Sequence, residues 1–167
     1  IVTLAPERPN AGALIRRLSR RGVIVSLGHT DSTYAQCVEA VQSGATHLTH
    51  TFNAMRGFHH REPGAAGYAL ASDSVFRELI YDRIHVSNEA AALLLKCSGA
   101  ERVIAVSDGT MAMGMPSGST IQMWGHTCHV GEKSVTLASS GALAGSAITL
   151  LDAFRNLCDD FGLEIAI

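Results

Sequence analysis

Apolar and polar residues alternate along the chain in two repeating patterns. Leu14 and Leu18 share one face of a helix predicted over 11–21, and the apolar run 23–27 that follows predicts a buried strand. The same order recurs downstream, with helices expected over 31–42, 88–97 and 143–158 and strands over 46–49, 77–81, 103–107, 120–124 and 134–137. Strands that alternate with helices at this spacing predict an α/β fold with a parallel sheet.

Polar side chains stand at or just beyond the C-terminal ends of four predicted strands, as His29, His50, His85 and Asp108. In parallel α/β folds this edge of the sheet is where catalytic sites are built. His29 and His50 are separated by one predicted helix, so neighbouring strands would bring their rings together. Imidazole nitrogens are ligands for Zn²⁺ or Fe²⁺. A hydrogen bond with a structural role is the alternative for each ring.

Asp108 follows the apolar strand predicted over 103–107, where a carboxylate is costly to bury without a partner. Beside a metal ion it could take a proton from bound water and later donate it to a leaving group. A cap on the backbone of Gly109 and Thr110 is the alternative that the sequence leaves open.

Two further segments have the composition of an anion site. The loop expected over 51–67 is long for a compact domain, and such loops are usually functional or disordered. Arg61 could bind a phosphate as a fork, and backbone N–H groups near Asn53 and Ala54 could add donors. The glycine-rich segment 141–146 lacks the lysine of a phosphate loop, yet it could donate N–H groups at the start of the last helix. A solvated surface loop is the alternative for 51–67.

Composition narrows the classes of protein. Apolar residues make up 47% of the 167 residues, which is enough for a core, and the net charge of −2 disfavours nucleic acid as a partner. The chain has no apolar stretch of the roughly 18 residues that a membrane span needs. Its scattered cysteines favour a reducing cytoplasm over a disulfide scaffold. The segment 126–129, His-Thr-Cys-His, matches no closed zinc pattern and predicts a surface hairpin.

Taken together, these motifs resemble the N-acetylglucosamine-6-phosphate deacetylase family of the amidohydrolase superfamily. The matching stretches are, in chain order, 2–7 (VTLAPE), 28–30 (GHT), 49–50 (TH), 52–55 (FNAM), 59–64 (HHREPG), 82–86 (DRIHV), 107–108 (SD) and 141–146 (GALAGS). They cover nearly the whole chain in order, and the Asn-Ala-Met and His-His-Arg-Glu-Pro-Gly stretches are highly specific.

The resemblance implies a partial (β/α)₈ TIM-like barrel, the second half of an amidohydrolase barrel, as a single partial catalytic domain over 1–167. The other barrel half and the small β domain would lie outside this chain, which we therefore expect to be an internal fragment. It implies roles for His29 and His50 as metal ligands, Asp108 as the catalytic carboxylate, Asn53, Ala54, Arg61 and His85 as sugar-phosphate contacts, and Leu143, Ala144 and Gly145 as a further substrate-contacting segment. It also implies a Zn²⁺ or Fe²⁺ cofactor, one or two ions per subunit, and a cytoplasmic homodimer that releases acetate from N-acetylglucosamine 6-phosphate.

The chain departs from the family pattern in two places. The third metal ligand of the family, a Glu in a His-Leu-Glu-Gly-Pro motif, is absent, and Glu7 belongs to a different motif. Arg83 stands where the family has Gly, so a positive φ there would strain the backbone, or its charge would lie beside the phosphate. Two alternatives stay open. One is an incomplete fragment that binds sugar phosphate or assembles with a partner half, and the other is an amidohydrolase for a different amide.

Overall fold

The computed structural model describes residues 1–163, which form two compact units. The first unit comprises residues 1–79 and 92–104, and the second comprises 80–91 with the described residues from 105 onward. The helices are α1 (Ala11–Ser19), α2 (Tyr34–Gln42), α3 (Gly64–Ala71), α4 (Asn88–Ser98) and α5 (Leu150–Phe161), with a 3₁₀ turn at Ala100–Arg102. None of these helices is long and apolar enough to cross a membrane.

One sheet has the strand order β1-β2-β3-β4-β5, from β1 (Val2–Leu4), β2 (Val25–Leu27), β3 (His47–Leu48), β4 (Phe76–Ile80) and β5 (Val103–Val106). The pairs from β1 to β4 are parallel. All three residues of β2 are buried, because helices of the first unit pack around the sheet. The predicted α/β class with a parallel sheet is therefore confirmed, and β1 adds a strand that periodicity did not indicate.

The first unit contains a helix in a segment that the sequence predicts to be part of a loop. The loop was expected to run to Gly67, but α3 begins at Gly64, and six consecutive residues from Gly64 to Ala69 are buried. A helix buried on all sides has no polar face, so its sequence shows no 3.6-residue pattern. Gly67 is required by packing, since a Cβ there would lie 2.2 Å from the Cβ of Pro63.

The second unit contains an antiparallel sheet with the order β6-β7-β8-β9, from β6 (Thr120–Met123), β7 (His126–Val130), β8 (Ser134–Leu137) and β9 (Leu143–Ser146). The hairpin predicted at 126–129 is confirmed, because β7 pairs with β6. The predicted helix over 143–158 is wrong in its first part. Residues 143–146 form β9, and α5 begins only after Thr149, whose side chain and that of Asp152 cap it reciprocally.

Candidate active site

Two histidine rings meet at the C-terminal edge of the parallel sheet. Leu27 of β2 pairs with Leu48 of β3, so His29 and His50 each follow two residues after a matched pair. Their Nε2 atoms lie 2.9 Å apart, and the rings meet edge to face at 80°. The register of parallel strands thus delivers the convergence that the sequence predicted.

The turn after β3 fixes the orientation of the His50 ring. Nδ1 of His50 lies 3.1 Å from the carbonyl oxygen of Asn53, to which it donates as Nδ1–H. A ring protonated at Nδ1 keeps the Nε2 lone pair free for a ligand. The Asn53 side chain in turn donates to the carbonyl oxygens of His50 and Thr51. Asn53 therefore orients the His50 ring with its backbone carbonyl and stabilises this turn with its side chain.

Backbone strain is concentrated around the two rings. His29, His50, Phe52 and Ala54 all have positive φ, between 32° and 76°. Residues with side chains rarely adopt this left-handed region, and its clustering is characteristic of functional sites.

The donor pair fits one divalent cation. Two nitrogens bound to one tetrahedral Zn²⁺ at about 2.0–2.1 Å lie roughly 3.3–3.4 Å apart, and the observed separation of 2.9 Å comes within a few tenths of an ångström of that distance. Within residues 1–163, no group of three or more His, Cys, Asp or Glu side chains could hold a metal ion. The pair thus supplies two ligands, and further ligands would have to come from elsewhere.

Glu7 stabilises this edge of the sheet, a role that the sequence pattern did not predict. One carboxylate oxygen accepts a hydrogen bond from the Thr30 hydroxyl at 2.5 Å, and the other accepts from the N–H of Asp31 at 3.0 Å. Burial raises the pKa of Glu7, but the hydrogen bonds from Thr30 and Asp31 outweigh burial and leave it below its ordinary value. Its position shortly after β1, at the same sheet edge as His29, was the signal that could have identified it.

The segment after His29 is joined to the segment that carries Ala54. Thr30 and Met55 form an isolated parallel bridge, in which the N–H of Thr30 donates to the carbonyl of Ala54 at 3.0 Å. Asp31 and Arg56 add a bidentate ion pair with both contacts at 2.8 Å. These residues line an open concavity of about 490 Å³ that also includes His29. The structure thus brings Ala54 to the histidine pair.

Arg61 lies apart from the residues that line this concavity. Its side chain is exposed, and Nη1 is 3.0 Å from Nε2 of His60. His59 and His60 stack at 4.3 Å between ring centroids. The predicted anion contact at Arg61 is therefore accessible, but the described residues do not join it to the histidine pair.

In the second unit, His85 is held by a buried carboxylate. Nδ1 of His85 lies 2.6 Å from Oδ2 of Asp82, whose side chain is fully buried. The other oxygen of Asp82 accepts the N–H groups of Ile84 and His85, both at 2.8 Å. Burial raises the pKa of Asp82, yet the hydrogen bonds from His85 and Ile84 prevail and hold it below its ordinary value. The second nitrogen of His85 is thereby left to contact a ligand.

Arg83, between these two residues, adopts φ 66°. The backbone at this position has a positive φ, so Arg83 bears the strain expected of a residue with a side chain there. The Arg83 guanidinium makes a bidentate ion pair with Asp160 of α5, at 2.7 and 2.8 Å. Its charge is therefore engaged by a carboxylate of this chain.

Asp108 is exposed, has φ 47°, and lies against β9. Its carbonyl oxygen accepts the N–H of Ser146 at 3.2 Å. At Gly145 a Cβ would lie 3.9 Å from Oδ2 of Asp108 and 2.5 Å from Cγ2 of Thr110. The structure thus places Gly145 beside Asp108.

Leu143 and Ala144, the other two residues of the predicted substrate-contacting segment, have different surroundings. Ala144 packs against the core of the small sheet, and Leu143 is 41% exposed. The expected donation of N–H groups from a helix start is wrong here, because these residues form a strand.

Comparison with known proteins identifies the class of protein to which this fold belongs. No protein-family model matches the chain. A crystal structure of N-acetyl-D-glucosamine-6-phosphate deacetylase from Mycobacterium smegmatis, an Asp-to-Ala mutant in complex with N-acetyl-D-glucosamine-6-phosphate, superposes with a TM-score of 0.91 at 35% identity, over 98% of this chain and 42% of that one. The chain thus has the fold of deacetylases that act on amino-sugar phosphates.

Curated proteins with similar sequences are named as members of the same class. The N-acetylglucosamine-6-phosphate deacetylase of Lysinibacillus sphaericus is 46% identical over 93% of this chain and 40% of the relative. The N-acetylgalactosamine-6-phosphate deacetylase of Escherichia coli O157:H7 is 38% identical over 99% of this chain and 43% of the relative. The chain spans about two fifths of the length of the curated relatives that it matches. It belongs to the N-acetylglucosamine-6-phosphate deacetylase family.

Proposed function

We propose that the protein containing this chain removes the acetyl group from N-acetylglucosamine 6-phosphate, giving glucosamine 6-phosphate and acetate. Family membership supports the reaction. The observation that supports the site is the distance of 2.9 Å between the Nε2 atoms of His29 and His50, which places both ring nitrogens where they can bind one cation, or share one proton when no cation is bound.

His29 and His50 would hold a divalent metal, Zn²⁺ or Fe²⁺, with one or two ions per subunit. When bound, such an ion supplies an activated water and polarises the acyl carbonyl. The hydrogen bond from His50 Nδ1 to Asn53 keeps the His50 ring oriented as a donor. In this proposal the remaining ligands come from a part of the barrel that lies outside the described residues.

Asp108 would move the proton. Its carboxylate accepts a proton from the attacking water and delivers it to the amide nitrogen as the C–N bond breaks. Asp108 is exposed. Its bond to β9 is made by its main-chain carbonyl, so the carboxylate oxygens are available to water. Gly145 allows close approach, because any side chain there would crowd Asp108 and Thr110.

His85, Asn53, Ala54 and Arg61 would hold the sugar phosphate, with Leu143, Ala144 and Gly145 as a further contact. Phosphate contacts far from the scissile amide would orient that amide toward the water. Arg61 is exposed and therefore accessible to a ligand, and we propose that it contacts the phosphate across the interface of a homodimer. We further propose that the parallel sheet is part of a (β/α)₈ barrel, and that the enzyme is cytoplasmic.

The direct test is acetate release by the complete protein, with and without Asp108→Asn. Loss of the proton acceptor should lower kcat by about 10²–10⁴-fold. Asp73→Asn makes the same charge change at an exposed position of the first unit and should leave kcat unchanged. An undiminished rate in Asp108→Asn would remove Asp108 from the mechanism.

Two alternatives are separated by simple comparisons. A phosphate substrate should bind Arg61→Ala about thirtyfold more weakly, roughly 2 kcal/mol for a charged hydrogen bond, whereas another amide substrate would bind both proteins equally. N-acetylgalactosamine 6-phosphate is the second substrate to assay, because one relative is named as a deacetylase of that compound.

If residues 1–167 alone were only an incomplete unit, they should bind metal loosely. Tight stoichiometric metal binding by these residues would contradict that.

A further inference from the structure

The turn from Tyr81 to His85 is held from outside by helix α5. The Asp160 carboxylate accepts the Tyr81 hydroxyl at 2.8 Å and the Arg83 guanidinium at 2.7 and 2.8 Å. One turn earlier on α5, the Asn156 side chain donates to the carbonyl oxygen of Tyr81 at 3.0 Å. We call Tyr81, Arg83 and Asp160 the Asp160 clamp.

The clamp is built from strong contacts. Tyr81 is fully buried and its ring lies 5.3 Å from that of Phe161. Burial, together with the hydrogen bond to Asp160, raises the pKa of Tyr81 to about 12, so the hydroxyl stays a donor. Hydrogen bonds from Arg83 and Tyr81 lower the pKa of Asp160, which therefore stays ionised. Because Tyr81 and Arg83 both donate to the Asp160 carboxylate, the position of Arg83 relative to α5 is fixed.

Arg83 needs such a partner because its backbone is left-handed. A φ of 66° is unfavourable for any residue with a Cβ, and it persists only where surrounding contacts hold it. The flanking residues Asp82 and Ile84 belong to the hydrogen-bonded turn described above. The ion pair to Asp160 is the contact that α5 makes with the strained residue itself.

The conformation of this turn determines where the His85 ring lies. Asp82 accepts both the backbone N–H and the Nδ1 atom of His85, so the ring follows the backbone of the turn. If Arg83 relaxed toward negative φ, the N–H groups of Ile84 and His85 would turn away from Asp82. A residue on α5 can thus influence His85 without touching the substrate.

We propose that Asp160 is a positioning residue that, through Arg83, holds the left-handed turn presenting His85 to the substrate. The inference rests on the proposed function, in which His85 contacts the sugar phosphate. It adds a residue on α5 to the determinants of substrate affinity, and it explains how this chain tolerates Arg at a position where glycine is the favourable residue.

The test compares steady-state kinetics of the complete protein with those of Asp160→Asn. We expect KM for N-acetylglucosamine 6-phosphate to rise about tenfold, as for contacting residues with coupled roles, while kcat stays within about twofold because His85 contacts the phosphate end and not the amide. Asp159→Asn is the matched control, since it removes the same charge one residue away on the exposed side of α5. An unchanged KM in Asp160→Asn would overturn the proposal.

A second variant separates positioning from general stability. Glycine adopts φ 66° without strain, so Arg83→Gly should make Asp160 dispensable. Adding Asp160→Asn to Arg83→Gly should then change KM by less than about twofold. An equal rise in KM in both backgrounds would overturn the role of Arg83.

Hydrogen exchange distinguishes failure of this inference from failure of the proposed function. The amides of Ile84 and His85 should exchange faster in Asp160→Asn than in Asp159→Asn, whatever the substrate is. A wild-type protein that releases no acetate would overturn the proposed function alone. Unchanged exchange at these amides would overturn the clamp, even in an active enzyme.

Discussion

The two units present their polar groups at strand ends in different ways. In the first unit, His29 and His50 belong to neighbouring strands and meet because parallel register aligns the ends of β2 and β3. In the second unit, His85 is paired within its own turn, to Asp82 three residues earlier. One pairing is long-range and depends on the sheet, and the other is local and depends on a single strained turn.

This difference shows which changes each region tolerates. A pair formed across strands fails when either partner is lost, but its geometry is protected by buried strands such as β2. A pair formed within one turn keeps its partner close, but it depends on the backbone conformation at Arg83. We therefore expect ligand substitutions to act most strongly in the first unit and backbone substitutions in the second.

The largest effect should come from removing one ring of the histidine pair. His50→Gln deletes a nitrogen donor, and we expect the complete protein to bind Zn²⁺ at least about 100-fold more weakly. Competition with a chelator of known affinity measures this change. His129→Gln, at an exposed position of β7, is the matched control and should bind metal like the wild type. Equal affinity of the two variants would contradict the proposed role of His50 as a metal ligand.

A backbone change in the second unit should have an intermediate effect. Gly145→Ala introduces a Cβ at φ 111° and 2.5 Å from Thr110, so β9 must shift beside Asp108. We expect kcat to fall about tenfold, equivalent to roughly 1–2 kcal/mol of strain. Metal affinity should stay unchanged, which is the opposite of the result for His50→Gln.

Gly125→Ala is the control for this backbone change. Gly125 also has a positive φ, 80°, but no described atom lies within 4 Å of the Cβ position. The Gly125→Ala protein should be less stable because of strain in the β6–β7 turn, but its kcat should not fall. Equal kcat in the two variants would show that β9 does not position Asp108.

How much of this arrangement the sequence predicts depends on the range of the interaction. The end of β2 follows from the apolar run 23–27, and the strand predicted over 46–49 ends directly before His50, so parallel register brings His29 to His50. The strand β9 does not follow, because the apolar residues of 143–146 suit either a helix or a short strand. Its pairing with β8 decides between them, and that contact is not visible in local sequence.

The same limit applies to the supporting residues. Glu7 bonds to Thr30, which is 23 residues away, and Asp160 bonds to Arg83, which is 77 residues away. No local sequence pattern therefore predicts either contact. Helix α3 was missed for the opposite reason, since complete burial removes the periodicity by which helices are recognised. The residues that we propose to carry chemistry are predicted mainly from strand ends, whereas the residues that hold them in place are visible only in the tertiary contacts.

The smallest effect should be a change in the pH dependence of stability, caused by the local pair. The pKa of Asp82 is lowered in the folded protein, so the unfolded state binds more protons as the pH falls. The stabilisation by Asp82 is therefore complete above its unfolded pKa, near 4, and is lost as the pH falls through the lower folded value. Urea unfolding of the complete protein at several pH values should show a steeper loss of unfolding free energy below about pH 5 in the wild type than in Asp82→Asn. Parallel slopes would mean that the contacts with His85 and Ile84 do not stabilise the ionised form, and the contrast between a local pair and a cross-strand pair would lose its energetic basis.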